Sequence, residues 1–183
     1  MLLKSNQVKI GFKAKKFKLI NINDKFLKFN DIKKEKGTII AFICNHCPYV
    51  IDLIDRLVSD FNELNKLKFG TVAIMSNDVI SYPQDSFENM KKFAFKNKFN
   101  FPYLYDEKQS VARSYKAVCT PDFFAFNKDD SLFYRGRLDN IRYKEKVINR
   151  KSDLINACSK YLNDNITIKE QENSMGCSIK WKK

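Results

Sequence analysis

The stretch from Thr38 to Leu67 constrains this chain more than any other. Thr38, Ile39, Ile40, Ala41, Phe42 and Ile43 form an unbroken apolar, β-branched run of the kind found in a central strand buried on both faces. From Pro48 to Leu67, the residues Val50, Ile54, Leu57, Val58, Phe61 and Leu64 recur at spacings of three and four, which lines one face of a helix. Pro48 suits the first helical position, where its missing N–H would be unpaired anyway. A buried strand that passes directly into a helix puts the junction, Cys44-Asn45-His46-Cys47-Pro48, beside unpaired helix N–H groups and the positive end of the helix dipole.

The rest of the chain alternates in the same way. Val8 to Ile22 reads as a basic, short-strand region, and Asn23-Asp24 as a turn into Phe26-Leu27. Gly37 punctuates the chain before the first buried strand, and Gly70 ends the helical segment before a second, Thr71 to Met75. Ser76 to Gln84 is a polar loop, and Asp85 or Ser86 can cap a helix to about Lys98. Pro102 to Tyr105 is short and extended, and Asp106 can cap the next helix through Ser110 to Tyr115. Phe123–Phe126 and Leu132–Tyr134 flank Asn127–Ser131 as a β-hairpin. A last helix is expected from Ser152 to Leu162. Alternating strands and helices predict an α/β fold, a sheet covered by helices on both faces, with antiparallel edge strands from the late hairpin. The length, 183 residues, suits one domain, read as residues 1–165 followed by a C-terminal tail, 166–183.

Composition narrows the class of function. Lys and Arg number 34 against 21 Asp and Glu, a net charge of +13. The lysines are scattered, and no basic run interleaves with stacking aromatics, so the excess reads as compositional and no nucleic-acid partner is expected. The opening breaks into charge before an apolar stretch of roughly 7–15 residues can form. No apolar run approaches the roughly 18 residues of a membrane span. A cytoplasmic protein with no membrane partner is expected. Five cysteines, an odd number, do not make a secreted disulfide framework.

The chemistry is expected at the strand-to-helix junction. A helix N-terminus favours thiolate over thiol and lowers a Cys pKa from about 8.5 into roughly the 3.5–7.5 range. Cys47 sits there, beside His46, the only histidine of the chain. Cys44, three residues earlier, makes a Cys-x-x-Cys pair that suits a disulfide, half of a zinc site, or simple packing as small hydrophobes. No second Cys-x-x-Cys or His pair is present to complete a zinc site. Cys119 precedes Thr120-Pro121, Cys158 lies inside the last helix as a packing residue, and Cys177 lies in the tail segment Gly176-Cys177-Ser178-Ile179-Lys180-Trp181. Arg135 and Arg137 flank Gly136 at the end of the hairpin.

These residues resemble the thioredoxin-like superfamily, in its AhpC/TSA (peroxiredoxin-like redoxin) branch. Gly11, Ala14, Phe17 and Leu19 resemble that branch's opening Gly-x-x-Ala-Pro-x-Phe-x-Leu, with Lys15 in place of the proline. Cys47-Pro48 after Phe42 resembles its reactive Cys-Pro step. Asp106, Val111-Ala112 and Tyr115 resemble the segment ahead of the fold's proline, and Thr120-Pro121 resembles the step that is cis in this fold. The resemblance covers roughly Val8 to Leu162 and, with Cys-Asn-His-Cys-Pro, is similar to an uncharacterised bacterial subgroup. It implies a thioredoxin-like (glutaredoxin-type) three-layer α/β/α sandwich with a mixed central sheet and an N-terminal β extension.

The resemblance also implies a thiol-dependent oxidoreductase without organic cofactor. Its substrate would be a peroxide or a disulfide, and an external thiol would return the electrons. By register from Phe42, Cys47 falls at the nucleophile, Val50 at the second thioredoxin Cys, and Cys44 near the threonine that precedes a peroxidatic Cys. The implied catalytic set is Cys47, Cys44, His46, Thr120, Pro121, Cys119 and Arg135, the arginine holding thiolate and peroxide. Proximity favours a Cys44–Cys47 disulfide, and Cys119 or a folded-back Cys177 are the alternatives if strand geometry forbids it. Two other readings stand beside this one: a non-catalytic module on the same fold, and a metal-binding thiol protein using Cys44, Cys47 and a third ligand.

Overall fold

The computed structural model describes residues 1–6 and 8–183. In chain order the elements are β1 (Leu2–Lys4), β2 (Lys18–Asn21), β3 (Phe26–Lys28), α1 (Phe29–Ile32), β4 (Gly37–Phe42), α2 (Pro48–Lys66) and β5 (Phe69–Met75). A 3-10 turn at Pro83–Asp85 precedes α3 (Phe87–Lys96), β6 (Tyr103–Tyr105) and α4 (Ser110–Tyr115). Then come β7 (Cys119–Thr120), β8 (Asp122–Asn127), β9 (Leu132–Gly136), α5 (Asp153–Asp164) and β10 (Met175–Ser178).

The strands run β3-β2-β6-β5 and β4-β8-β9. The two runs join where the Ile43 N–H donates to the Ile74 carbonyl at 3.0 Å. The result is a mixed seven-stranded sheet, with β5 and β6 parallel and the remaining registered pairs antiparallel. Successive side chains of β4 point to opposite faces, as a pleated strand requires. Ile39 and Ala41 pack with Leu53, Leu57 and Phe61 of α2, Met90 of α3, and Leu154 and Cys158 of α5. Ile40 and Phe42 pack on the other face with Phe29 of α1 and Val111, Ala112 and Tyr115 of α4. The sheet therefore lies between two helical layers, as expected. Among the described residues, no helix is long and apolar enough to cross a membrane.

Three local expectations are refined. Gly70 lies inside β5 and does not end the helix: α2 stops at Lys66, and Lys68 takes the left-handed turn at φ 67°. A Cβ on Gly70 would stand 1.8 Å from the Ile32 carbonyl oxygen, so glycine is needed there for backbone contact. Ser86, not Asp85, caps α3, accepting from the Asn89 N–H. Asp106 serves α4 from a distance, its carboxylate accepting the Ala112 N–H at 2.9 Å, while Gln109 occupies the cap position.

The segment after α5 is part of the fold. β10 pairs antiparallel with β1 on one side and β7 on the other, making a second small sheet. Ile179 is buried beyond it.

Candidate active site

Four segments meet beyond the end of β4: the Cys44–Cys47 junction, the loop from Ser76 into the 3-10 turn, the Thr120–Pro121 step, and β10. Cys47 is the N-cap of α2, with Pro48 as the first helical residue. The Thr120–Pro121 bond is cis.

Thr120 contacts the thiols of Cys44 and Cys47 and pairs through its backbone with Cys177. Its hydroxyl lies 3.4 Å from Cys44 Sγ, and its carbonyl lies 3.2 Å from Cys47 Sγ, where it accepts the proton of the neutral thiol. Thr120 is the registered partner of Cys177 across the β7–β10 pair. Gly176 makes this closeness possible, since a Cβ there would stand 2.0 Å from the Thr120 oxygen and 3.0 Å from Pro121 Cδ.

The donors around Cys47 outweigh the acceptor. The Cys44 thiol donates toward its sulfur, with further support from the Cys177 thiol, the Cys177 N–H and the Val50 N–H. Together they hold Cys47 down to about 5 against the cost of burial. The same hydrogen bond, with burial, pushes Cys44 well up. Burial and the neighbouring Cys47 raise Cys177 to about 11. Cys44 and Cys47 are sealed, with 1% and 0% of their surfaces exposed, whereas Cys177 is half-buried.

A buried carboxylate fastens the junction from the other side. Asp85 Oδ1 accepts the Asn45 N–H at 2.8 Å and the His46 N–H at 3.3 Å. Asp85 Oδ2 lies 2.7 Å from His46 Nδ1 and accepts from Asn77 Nδ2 at 2.7 Å. Asn45 Oδ1 accepts the Tyr103 hydroxyl at 2.9 Å. The hydrogen bond to Asp85 raises the His46 pKa, partly offset by burial. Tyr82 stacks on the His46 ring at 5.7 Å, with planes 9° apart. Cys44, His46 and Asp85 bring a sulfur, a ring nitrogen and a carboxylate oxygen within 4.8 Å of one another. Both Asp85 oxygens already accept N–H groups, so the cluster is built as a hydrogen-bonded unit and does not present the open donor set a cation needs.

The other expected residues are distributed unevenly. Cys44, His46, Cys47, Thr120 and Pro121 come together. Cys119 is buried beside them, its Sγ 4.0 Å from the Pro121 carbonyl oxygen, and burial raises its pKa strongly. Arg135 is elsewhere: its guanidinium donates to Asp122 at 2.8 Å and to the Lys116 carbonyl at 2.9 Å, and lies over the Phe124 ring. None of these contacts is a sulfur of the Cys44–Cys47 pair. Asp85, Asn77 and Tyr103 belong to the site without any local motif to mark them. A cleft of about 600 Å³ opens beside Pro121, with Tyr49, Leu53, Leu138, Tyr143 and Met175 among its walls.

The sequence model of the AhpC/TSA family matches residues 10–135. An uncharacterized conserved protein from Geobacillus kaustophilus is similar over 100% of this chain and 97% of its own, at 41% identity and a TM-score of 0.94. A hypothetical protein from Sinorhizobium meliloti is similar over 98% of each chain, at 31% identity and a TM-score of 0.93. The thioredoxin domain of a thiol-disulfide oxidoreductase from Bacteroides vulgatus shares the fold at 16% identity and a TM-score of 0.64, covering 86% of this chain and 100% of that one. The fold is thus thioredoxin-like. No curated protein matches the chain.

Proposed function

The chain belongs to the AhpC/TSA family, and from that premise we propose that it is a thiol-dependent peroxidase with Cys47 as nucleophile and Cys177 as resolving thiol. The observation that carries this reading is the crowding of the Cys44 and Cys177 thiols on a Cys47 held down to about 5. Thiolate is the reactive form of cysteine, and at neutral pH Cys47 is thiolate.

The Cys47 thiolate attacks the terminal oxygen of a hydroperoxide. The O–O bond breaks, Cys47 becomes a sulfenic acid, and an alcohol or water leaves. Cys177 then attacks the Cys47 sulfur, forming a disulfide and releasing water. Two equivalents of an external thiol reduce that disulfide and restore both cysteines. Exposure supports Cys177 over Cys44 for this step. A Cys44–Cys47 disulfide would have both sulfurs sealed, whereas a Cys47–Cys177 disulfide presents the half-buried Cys177 sulfur to a reductant. Cys44 then serves as hydrogen-bond donor to the thiolate.

Occupancy of the β7 edge supports a small peroxide over a protein disulfide. An extended substrate chain would have to displace β10 to approach Cys47. A hydroperoxide needs only a narrow opening. The test is thiol-coupled consumption of hydrogen peroxide and reduction of a protein disulfide, by the wild type and Cys47→Ser. Peroxide turnover that Cys47→Ser abolishes, with a Cys47–Cys177 bridge in the oxidised protein, is expected. Faster reduction of the protein disulfide, or a Cys44–Cys47 bridge alone, would contradict the respective halves of the reading.

A further inference from the structure

We infer that Asp85 is a positioning residue that keeps His46 protonated, with Nε2 as the acid that protonates the leaving oxygen when Cys47 attacks a peroxide. This inference rests on the peroxidase reading and adds the source of the proton.

The geometry begins with a buried charge. The Asp85 side chain is wholly buried, and among the described residues its one ion-pair partner is His46, at 2.7 Å. A buried carboxylate is costly unless it is paired and hydrogen-bonded. Asp85 has both: three N–H groups from Asn45, His46 and Asn77, and the imidazole, among the described residues its one partner that can carry a positive charge. Protonation of His46 therefore offsets the burial of Asp85, and the pair is favoured as carboxylate and imidazolium.

The same contacts fix the ring. Nδ1 is committed to Asp85, which leaves Nε2 as the proton-donating nitrogen. Tyr82 stacks on the face of the ring, and Lys180 stands over Tyr82 at 5.4 Å. The backbone of the C-terminal segment joins in, since the Lys180 N–H donates to Asn77 Oδ1 at 2.8 Å. The His46 side chain keeps a quarter of its surface exposed, while Asp85 keeps none. The dyad thus has a sealed end and an open end, one residue before the nucleophile.

The titratable groups that face the imidazole are Asp85 from the 3-10 turn, Cys44 from the junction after β4, its sulfur within 4.8 Å, Cys47 at the cap of α2, Tyr82 from the loop before that turn, and Lys180 from the segment after β10. Asp85 and the Cys47 thiolate favour the imidazolium, and Lys180 opposes it.

The step balances as follows. The Cys47 thiolate bonds to the terminal oxygen, the O–O bond breaks, and the departing alkoxide takes the Nε2 proton to become the alcohol. His46 is then neutral, with its Nδ1–H still on Asp85. Cys177 then attacks the sulfenic sulfur, the S–O bond breaks, and the thiol proton leaves with the departing hydroxide as water. Reduction of the disulfide by external thiol returns a proton to His46 and restores the thiolate–imidazolium pair.

His46 is the only histidine, so its ring signals in an NMR titration need no assignment. In the reduced wild type it should titrate above the ordinary value of about 6.5. Asp85→Asn should lower its proton affinity about tenfold or more, one unit or more on the pH scale. The alkaline limb of the peroxide rate profile should move to lower pH by the same amount, because the acid is lost sooner as pH rises. In a His46→Gln background, Asp85→Asn should no longer move that limb. A wild-type His46 that titrates at or below about 6.5 overturns the inference even if Asp85→Asn does not fold. So does an unshifted titration in a folded Asp85→Asn. Either result beside Cys47-dependent turnover leaves the peroxidase reading standing. Absence of Cys47-dependent turnover removes that reading and the acid role together, and the titration then reports only on the ion pair.

Discussion

Cys47 and Cys158 are both sealed from solvent in the same apolar core, yet they are opposite kinds of thiol. Cys158 lies inside α5, where every helix N–H is spoken for. Burial, with the nearby Asp60 charge adding to it, raises its pKa strongly. Cys47 lies at the cap of α2, where the Cys44 thiol, the Cys177 thiol and N–H, and the Val50 N–H all face its sulfur. Burial costs Cys47 the same kind of penalty, but the donors exceed it. Sealing a cysteine makes it inert, and sealing it among donors makes it reactive. The difference is made by the end of a helix and by what the rest of the chain brings to that end.

The comparison breaks most severely if Cys44 loses its thiol. Cys44→Ala removes the largest donor and leaves Cys47 closer to the condition of Cys158. A hydrogen bond to a charged group contributes about 1.5–3 kcal/mol. That corresponds to a rise of roughly one to two pH units for Cys47. Alkylation rate against pH reads it directly, and an unchanged profile would mean that Cys177 and the helix end suffice.

A smaller effect is expected from the opposite side of the sulfur. Gly176→Ala puts a methyl group against the Thr120 oxygen and Pro121, so β10 must shift. Overpacking of this kind costs about 1–3 kcal/mol of stability. The yield of Cys47–Cys177 disulfide after peroxide should fall, and the Cys47 pKa should rise by less than in Cys44→Ala. Full disulfide yield in Gly176→Ala would separate Cys177 pairing from the seating of β10.

Much of this site is legible in the sequence, and the boundary of legibility is physical. The reactive position follows from local pattern: a continuous apolar strand, then Cys47, then Pro48 and an amphipathic stripe. The Thr120–Pro121 step is legible by resemblance. Asp85 is not, because its role depends on contacts nearly forty residues away, and its neighbourhood reads as a helix cap that Ser86 supplies. Cys177 is visible as a thiol, but its place opposite Thr120 depends on the pairing of β10 with β7. Arg135 misleads in the other direction. Its sequence position suits an anion at the thiols, but its Nη2 donates to Asp122 and the Lys116 carbonyl and its plane lies over the Phe124 ring. Gly70 reads as a stop because glycine often is one, whereas here it admits the Ile32 backbone.

The central claim is that donors at the cap of α2 override burial at Cys47. Site-resolved alkylation of the folded, reduced protein across pH, followed by mass spectrometry, tests it most directly. The account predicts that Cys47 reaches half its limiting rate near pH 5, with Cys158 unreactive throughout. A Cys47 profile centred near the free-thiol value of about 8.5, or one no different from that of Cys158, would contradict it.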